Sequence, residues 1–197
     1  MRAHEIPQGI LPSQRELYYG GHWHRPKKRV YAETFNPAYN EPITTAPVAD
    51  RDDVDAAVQA ADAAFPAWAS TPPIERARCL RQAAAVLQEH AMALAQLDSL
   101  NNGNPVSALA MDAKYAADSI DYFAGLVTEI RGETIPMGDG NFNYTVREPM
   151  GAVARIVAYN HPLMFAAARL AAPLAAGNTV VIKAPDQAPL SILRLAE

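Results

Sequence analysis

Cysteine is almost missing from this sequence. Cys79 is the single one among 197 residues, so no disulfide can form within the chain and the stapled scaffolds of small secreted proteins are excluded. A reducing compartment fits that usage, and the cytoplasm is the expected location. Long apolar runs are missing too. Nowhere do about 18 uncharged apolar residues follow one another, and Glu5, Pro7, Pro12 and Glu16 stand where a signal peptide needs its apolar stretch. No membrane partner or export signal is therefore legible. Charge of one sign is not in excess either: 17 Lys and Arg face 21 Asp and Glu, for a net charge of -4. Nucleic acid and anionic membranes are not expected partners, and the short run Lys27, Lys28, Arg29 is expected to be a solvated hairpin edge. Glycine is sparse, and no Gly-x-Gly-x-x-Gly follows any strand. Gly138 and Gly140 lie between two short extended runs and read as turn residues, without the strand-to-helix setting of a phosphate-binding loop. Of the five histidines, His22 and His24 share a strand face, but no third ligand follows at suitable spacing, so a metal is not expected.

Half of the residues are apolar, enough to bury a sizeable core. Residues 1–17 mix Pro, Gln, Gly and charge without periodicity and predict a loose lead-in. A strand pair or strand with a turn is expected across 17–31, followed by an extended segment punctuated by Asn36, Pro37, Glu41 and Pro42. Val54, Ala57, Val58, Ala61 and Phe65 recur at helical spacing after the N-cap candidate Asp50, predicting a helix that ends near Pro66. A longer helix opens at Thr71, Pro72 and Pro73. Its stripe is Ile74, Ala77, Leu80, Ala84, Leu87, Ala91 and Leu94, with Arg76, Arg78 and Arg81 off it, and Asn101, Asn102 and Gly103 stop it. Asn104 and Pro105 start a third, running to Ile130. A hairpin is expected over 131–149. From 150 the pattern changes to strand 153–158, helix 162–176, strand 179–182 and a helix from Pro189, which means a parallel sheet with helical crossovers.

This last stretch carries the most information. After its first strand come Asn160, His161, Pro162 and Leu163; later come Ala176, Gly177, Asn178, Val180, Lys183, Ala184, Pro185, Asp186 and Pro189. The arrangement resembles the aldehyde dehydrogenase superfamily, whose pattern is a strand ending in Pro-Trp-Asn-x-Pro, then Ala-Gly-Asn-x-Val-x-x-Lys-Pro-x-Glu-x-x-Pro. The resemblance reaches upstream through Gly20, Gly21 and Trp23; Phe35, Asn36 and Pro37; Trp68; Glu75 and Arg76; Asn102, Gly103, Asn104 and Pro105; and Glu148, Pro149 and Gly151. It covers about residues 18–197.

The implied fold is α/β, a helical lead-in followed by the start of a Rossmann-like parallel sheet, with an oligomerisation hairpin. Residues 18–130 would be the N-terminal strands and helices of the cofactor-binding domain, 131–149 the hairpin, and 150–197 the start of the sheet. The implied activity is NAD(P)-dependent oxidation of a small aldehyde to a carboxylic acid, in a homodimer or homotetramer. By the same resemblance Asn160 is catalytic: its amide N–H would hold the oxyanion formed when a thiolate adds to the aldehyde. Main-chain groups of Ile156, Val157, Ala158 and Tyr159 would line the cofactor cleft, and Lys183, Ala184, Pro185 and Asp186 would hold the adenosine ribose. A carboxylate at Asp186 would repel a 2'-phosphate, which favours NAD and leaves NADP open.

Several residues have a plainer reading. Asn160 suits a helix N-cap, Lys183 a solubilised strand end, and Asp186 a cap for the next helix. Cys79 is expected to be a packed or idle helix residue rather than the nucleophile. The sequence also departs from the family: Ala158 and Tyr159 replace Pro and Trp, Arg169 replaces a frequent Lys, and His161 stands for a frequent Phe or Tyr that would touch the aldehyde tunnel. The nucleophilic cysteine and the general-base glutamate of the family are expected beyond Glu197, in a longer chain, so this segment alone should be inactive. The competing expectation is a non-catalytic interaction module derived from the same family.

Overall fold

The computed structural model describes residues 6, 7 and 9–197; the part of the expected lead-in formed by 1–5 and 8 lies outside them. The rest of that lead-in is anchored, not loose. Ile10 and Pro12 are buried, and Ile10 packs with Leu97 and Leu190. An antiparallel hairpin follows, β1 (Leu17–Tyr19) with β2 (His22–His24), and a second one pairs β3 (Tyr31–Asn36) with β4 (Glu41–Pro47). His24 is no free surface group: its Nε2 lies 3.1 Å from the Tyr19 carbonyl oxygen and its ring stacks on that of Tyr19. Lys27, Lys28 and Arg29 form a solvated loop rather than a hairpin edge, because Asp50 and Asp53 draw it onto the next helix. The Lys27 N–H donates to Asp53 Oδ1 at 3.1 Å, and Lys28 Nζ sits 3.5 Å from Asp50 Oδ2.

That helix, α1 (Arg51–Ser70), begins with a reciprocal cap. The Asp53 N–H donates to Asp50 Oδ1, and the Asp50 N–H donates to Asp53 Oδ2, satisfying two of the amides that a helix start leaves without partners. It does not stop at Pro66 as expected but runs through it. Proline costs one helical hydrogen bond, and tertiary anchoring outweighs that loss: Trp68 in the last turn donates its indole N–H to the Leu174 carbonyl at 3.0 Å.

The expected second helix is two, α2 (Pro73–Glu89) and α3 (Ala91–Asn102), parted at His90. The apolar stripe is continuous in sequence, but its halves have different partners. The first packs mainly on α5 (Asp112–Gly125), whereas the second divides its contacts between that helix, β3 and the final helix α7 (Leu190–Ala196). The third helix is likewise interrupted, into α4 (Val106–Leu109) and α5 (Asp112–Gly125). β5 (Thr134–Ile135) and β6 (Asn143–Tyr144) form the expected hairpin, shorter than its text suggested and exposed throughout.

β7 (Ala152–Ile156), α6 (Pro162–Ala175) and β8 (Thr179–Lys183) complete a parallel strand–helix–strand unit, with α7 after it. This is the start of a Rossmann-like sheet behind a helical lead-in. The main core lies between α2, α5 and α6. Alanines dominate its seam, with Ala113, Ala116 and Ala117 of α5 and Ala167, Ala171 and Ala175 of α6 all nearly inaccessible. Small side chains let these two helices approach closely, while Leu80, Leu87, Leu94 and Leu163 supply bulk.

Arg76 corrects the expectation that it lies off the buried stripe. It is 6% exposed, and its Nε donates to the Ala175 carbonyl at 3.1 Å, with Nη1 reaching the Thr71 carbonyl. Burial holds its pKa below the ordinary arginine value. Arg76 satisfies the terminal Ala175 carbonyl of α6, and Trp68 adds a second donor to the Leu174 carbonyl, which also accepts the Gly177 N–H at 3.1 Å. Among the described residues no helix is long and apolar enough to cross a membrane, and no cluster of His, Cys, Asp and Glu could hold a metal.

Candidate functional site

The register of the parallel pair decides what shares the site. Partners run from Ala152 with Thr179 to Ile156 with Lys183, and the ladder continues as the Val157 N–H donates to the Lys183 carbonyl at 3.1 Å. Ile156, Val157, Ala158 and Tyr159 therefore leave the sheet at the same end as Lys183, Ala184, Pro185 and Asp186. That carboxyl edge is where parallel sheets collect ligands. Asn178 clamps the opposite end. Its Oδ1 accepts the N–H groups of Met150 at 2.6 Å and Gly151 at 3.1 Å, and its Nδ2 donates to the Pro173 carbonyl. The starts of both strands are thus tied through one buried side chain.

Of the two segments, Val157 and Pro185 are buried, whereas Ile156, Ala158, Tyr159, Lys183 and Asp186 are exposed. Lys183 Nζ donates to Asp186 Oδ1 at 2.6 Å. An ammonium has three donors and a carboxylate about four lone-pair sites, so each keeps capacity for a ligand. Asp186 does not cap α7, the plainer expectation for it. The first amide of α7, that of Leu190, donates instead to the buried Asn101 Oδ1 at 3.2 Å. One donor and one acceptor thus adjoin at the strand end, a pair with the chemistry to hold a vicinal diol.

Asn160 likewise does not cap α6; the cap position belongs to His161. The amide of Asn160 makes no hydrogen bond among the described residues and is exposed. Its main chain, by contrast, is held firmly. Asn102 Nδ2 and Asn104 Nδ2 both donate to the Asn160 carbonyl, at 3.1 and 2.7 Å. Asn102 Oδ1 in turn accepts the Asn104 N–H at 2.9 Å. Between them Gly103 has φ +84°, and a Cβ there would meet Pro37 Cγ at 2.8 Å, so only glycine fits this turn.

The start of α6 is held by a carboxyl. The Leu163 N–H donates to Asp98 Oδ2 at 3.2 Å. Asp98 is 1% exposed, and burial pushes its pKa up to about 7, opposed by the nearby Ser191 hydroxyl and by the Leu163 amide. Neither Asp98 Oδ1 nor Ser191 Oγ has a hydrogen-bond partner, so burial outweighs the hydroxyl. Asp112, at the start of α5, accepts from His161 Nδ1 at 2.9 Å.

Sequence reasoning found the strand-end residues and missed this supporting set. Asn101 and Asn102 were visible as a helix stop and Asn104 as a helix start, with Asn102 and Asn104 also in the family pattern but without a role, and Asp98 and Asp112 were not singled out. Nothing local marks them, because each acts on a residue 49 to 89 positions away. Cys79 is exposed on α2, which contributes nothing to the carboxyl edge of the sheet.

Comparison with known proteins agrees with this geometry. The profile described as the aldehyde dehydrogenase family matches residues 23–197. Aldehyde dehydrogenase tropH of Talaromyces stipitatus is 51% identical over 190 residues, which are 95% of this chain and 37% of that protein. An NAD+ complex of an aldehyde dehydrogenase from Bacillus cereus superposes with a TM-score of 0.92 at 35% identity, covering 98% of this chain and 40% of that one. An NADP dependent enzyme of E. coli superposes at 0.91 with 30% identity, over 96% of this chain and 39% of its own. The chain thus spans well under half the length of these relatives, and with its parallel strand pair, its free strand-end amide and its profile match it belongs to the aldehyde dehydrogenase family.

Proposed function

We propose that this chain is the N-terminal portion of an enzyme that oxidises an aldehyde to a carboxylic acid with NAD. The observation that carries the proposal is the uncommitted side-chain amide of Asn160 after β7, at the same carboxyl edge of the sheet as the Lys183–Asp186 pair that ends β8. Asn160 donates its amide N–H to the carbonyl oxygen as that oxygen becomes an alkoxide, and Asn102 and Asn104 keep its backbone from shifting. Lys183 and Asp186 bind the ribose hydroxyls, and the backbone of 156–159 walls the cleft. When bound, NAD supplies the acceptor for the hydride that leaves the aldehyde carbon. The attacking thiolate and the base that activates water come from the remainder of the longer protein, so residues 1–197 alone have no aldehyde oxidation activity.

The Asp186 carboxylate supports NAD over NADP, since a 2'-phosphate beside it would be repelled. The hairpin of β5 and β6 supports assembly into a dimer or tetramer. Its strands are two residues long with unpaired edges, and Phe142, Tyr144 and Val146 are exposed, a combination that seeks a partner strand. An enzyme lacking 133–146 that still sediments as the native oligomer would refute this.

The decisive experiment replaces Asn160 by Ala in the complete enzyme. Loss of one oxyanion donor should lower kcat by about 10²- to 10³-fold while NAD affinity holds. An unchanged kcat would remove Asn160 from the mechanism. A complete protein that binds NAD but oxidises no aldehyde would favour the non-catalytic module instead.

A further inference from the structure

His161 is the least explained group beside the site. It directly follows Asn160, and 31% of its side chain remains accessible, although its Nδ1 is tied at 2.9 Å to Asp112, whose own side chain is 7% accessible. An ionised carboxylate can only accept, so the hydrogen-bond network assigns the shared proton to Nδ1. Phe165 packs edge-on against the same ring at 6.1 Å. The imidazole is therefore fixed on two sides, and its Nε2, with no hydrogen-bond partner among the described residues, is the edge left over. A substrate group that covers this edge without offering it a hydrogen bond takes away its water and gives nothing in return.

A buried carboxylate spent on orienting a half-exposed ring next to the oxyanion residue is a poor investment for packing alone, since an apolar ring would fill the same space without burying a charge. We propose that His161, oriented by Asp112, is a specificity residue that selects aldehydes bearing a hydroxyl group over alkyl counterparts. The assignment rests on the aldehyde oxidation reading above. A hydroxyl suits this edge in either charge state: it donates to Nε2 of the neutral ring and accepts from Nε2–H of the charged one. A methyl group does neither, and leaves the nitrogen dry. Sites built to hydrogen-bond a substrate hydroxyl discriminate far more strongly than apolar pockets do.

The test uses the complete enzyme with NAD and the three hydroxybenzaldehydes, each paired with the methylbenzaldehyde substituted at the same carbon. The readout is the hydroxy-to-methyl ratio of kcat/KM, compared between wild type and variants so that electronic effects of the substituent cancel. For at least one positional isomer His161→Phe should lower that ratio by about tenfold or more, with the methyl substrate turned over as well as before or better. His161→Gln, which keeps a donor and an acceptor, should restore part of the ratio and guards against a folding defect. Asp112→Asn should lower the ratio less than His161→Phe does. Ratios that stay constant in His161→Phe for all three isomers, or losses shared equally by both members of each pair, would overturn the assignment while leaving aldehyde oxidation intact. A wild-type enzyme that oxidised no aldehyde would overturn both.

Discussion

Asn104 donates its side-chain N–H to the main-chain carbonyl of Asn160 across 2.7 Å, joining two residues 56 positions apart. The bond fixes the backbone of the residue whose own amide is proposed to hold the oxyanion. With Asn102 it forms a two-pronged grip at the end of α3, and the same helix holds the start of α7 through the adjacent Asn101 and that of α6 through Asp98, one turn earlier. The C-terminal end of α3 is thus the template on which both helices that follow the sheet strands are seated.

Replacing Asn104 by Ala leaves every group that touches substrate in place and removes only this support. A loosened catalytic group loses rate through misplacement, so kcat in the complete enzyme should fall by about tenfold, with KM for NAD little altered. Steady-state kinetics on the variant checks this; an unaltered kcat would mean that Asn102 alone suffices.

Asp98 makes stability depend on pH in a direction opposite to most carboxylates. Its folded pKa of about 7 lies above its ordinary value of 3.8. Below about 4 the carboxyl is protonated in both the folded and unfolded chain, and its contribution to stability is fully present. As pH rises through about 7 the unfolded chain ionises first and that contribution is lost, on the order of 4 kcal/mol across the window. Asp98→Asn cannot ionise and keeps an oxygen for the Leu163 amide. The thermal midpoint of this variant, measured against wild type, should gain steadily from pH 4.5 to pH 7.5 (about the window set by the two pKa values). A difference that does not vary with pH would show that Asp98 is not protonated in the folded chain.

The proposed ribose role of Asp186 makes it the residue that would set the cofactor preference. Asp186→Ser removes the carboxylate that would face a 2'-phosphate and leaves Lys183, freed from its ion pair, to attract one. The ratio of kcat/KM for NADP to that for NAD should rise by about tenfold, the worth of about 1.4 kcal/mol. Kinetics with each cofactor in turn decides the matter, and a ratio that did not move would place the ribose elsewhere.

How much of this was legible in the sequence differs from element to element. The parallel unit after 150 could be read from text because β-branched runs such as 179–183 alternate with an alanine-rich helix at lengths only a crossover allows. Asn160, Lys183 and Asp186 could be placed because strand ends fix them locally. The breaks at His90 and at 110–111 could not be read, because the apolar stripe continues across both and only the change of packing partner interrupts it. Pro66 misled in the other direction: a local helix breaker was overruled by the grip of Trp68 on α6.

The amino-acid order by itself determined the α/β class, the two parallel strands, the N-cap at Asp50, and which residues stand at the carboxyl ends of the strands. Those are short-range matters of periodicity and capping, settled within a few residues. Tertiary structure decided that Asn160 is left free while His161 takes the cap, that Arg76 is buried, and that Asp98, Asn101, Asn102 and Asn104 support the site. Each of these depends on a hydrogen bond closed between distant segments, and whether a polar side chain finds a partner or stays exposed is set by the packing that brings those segments together.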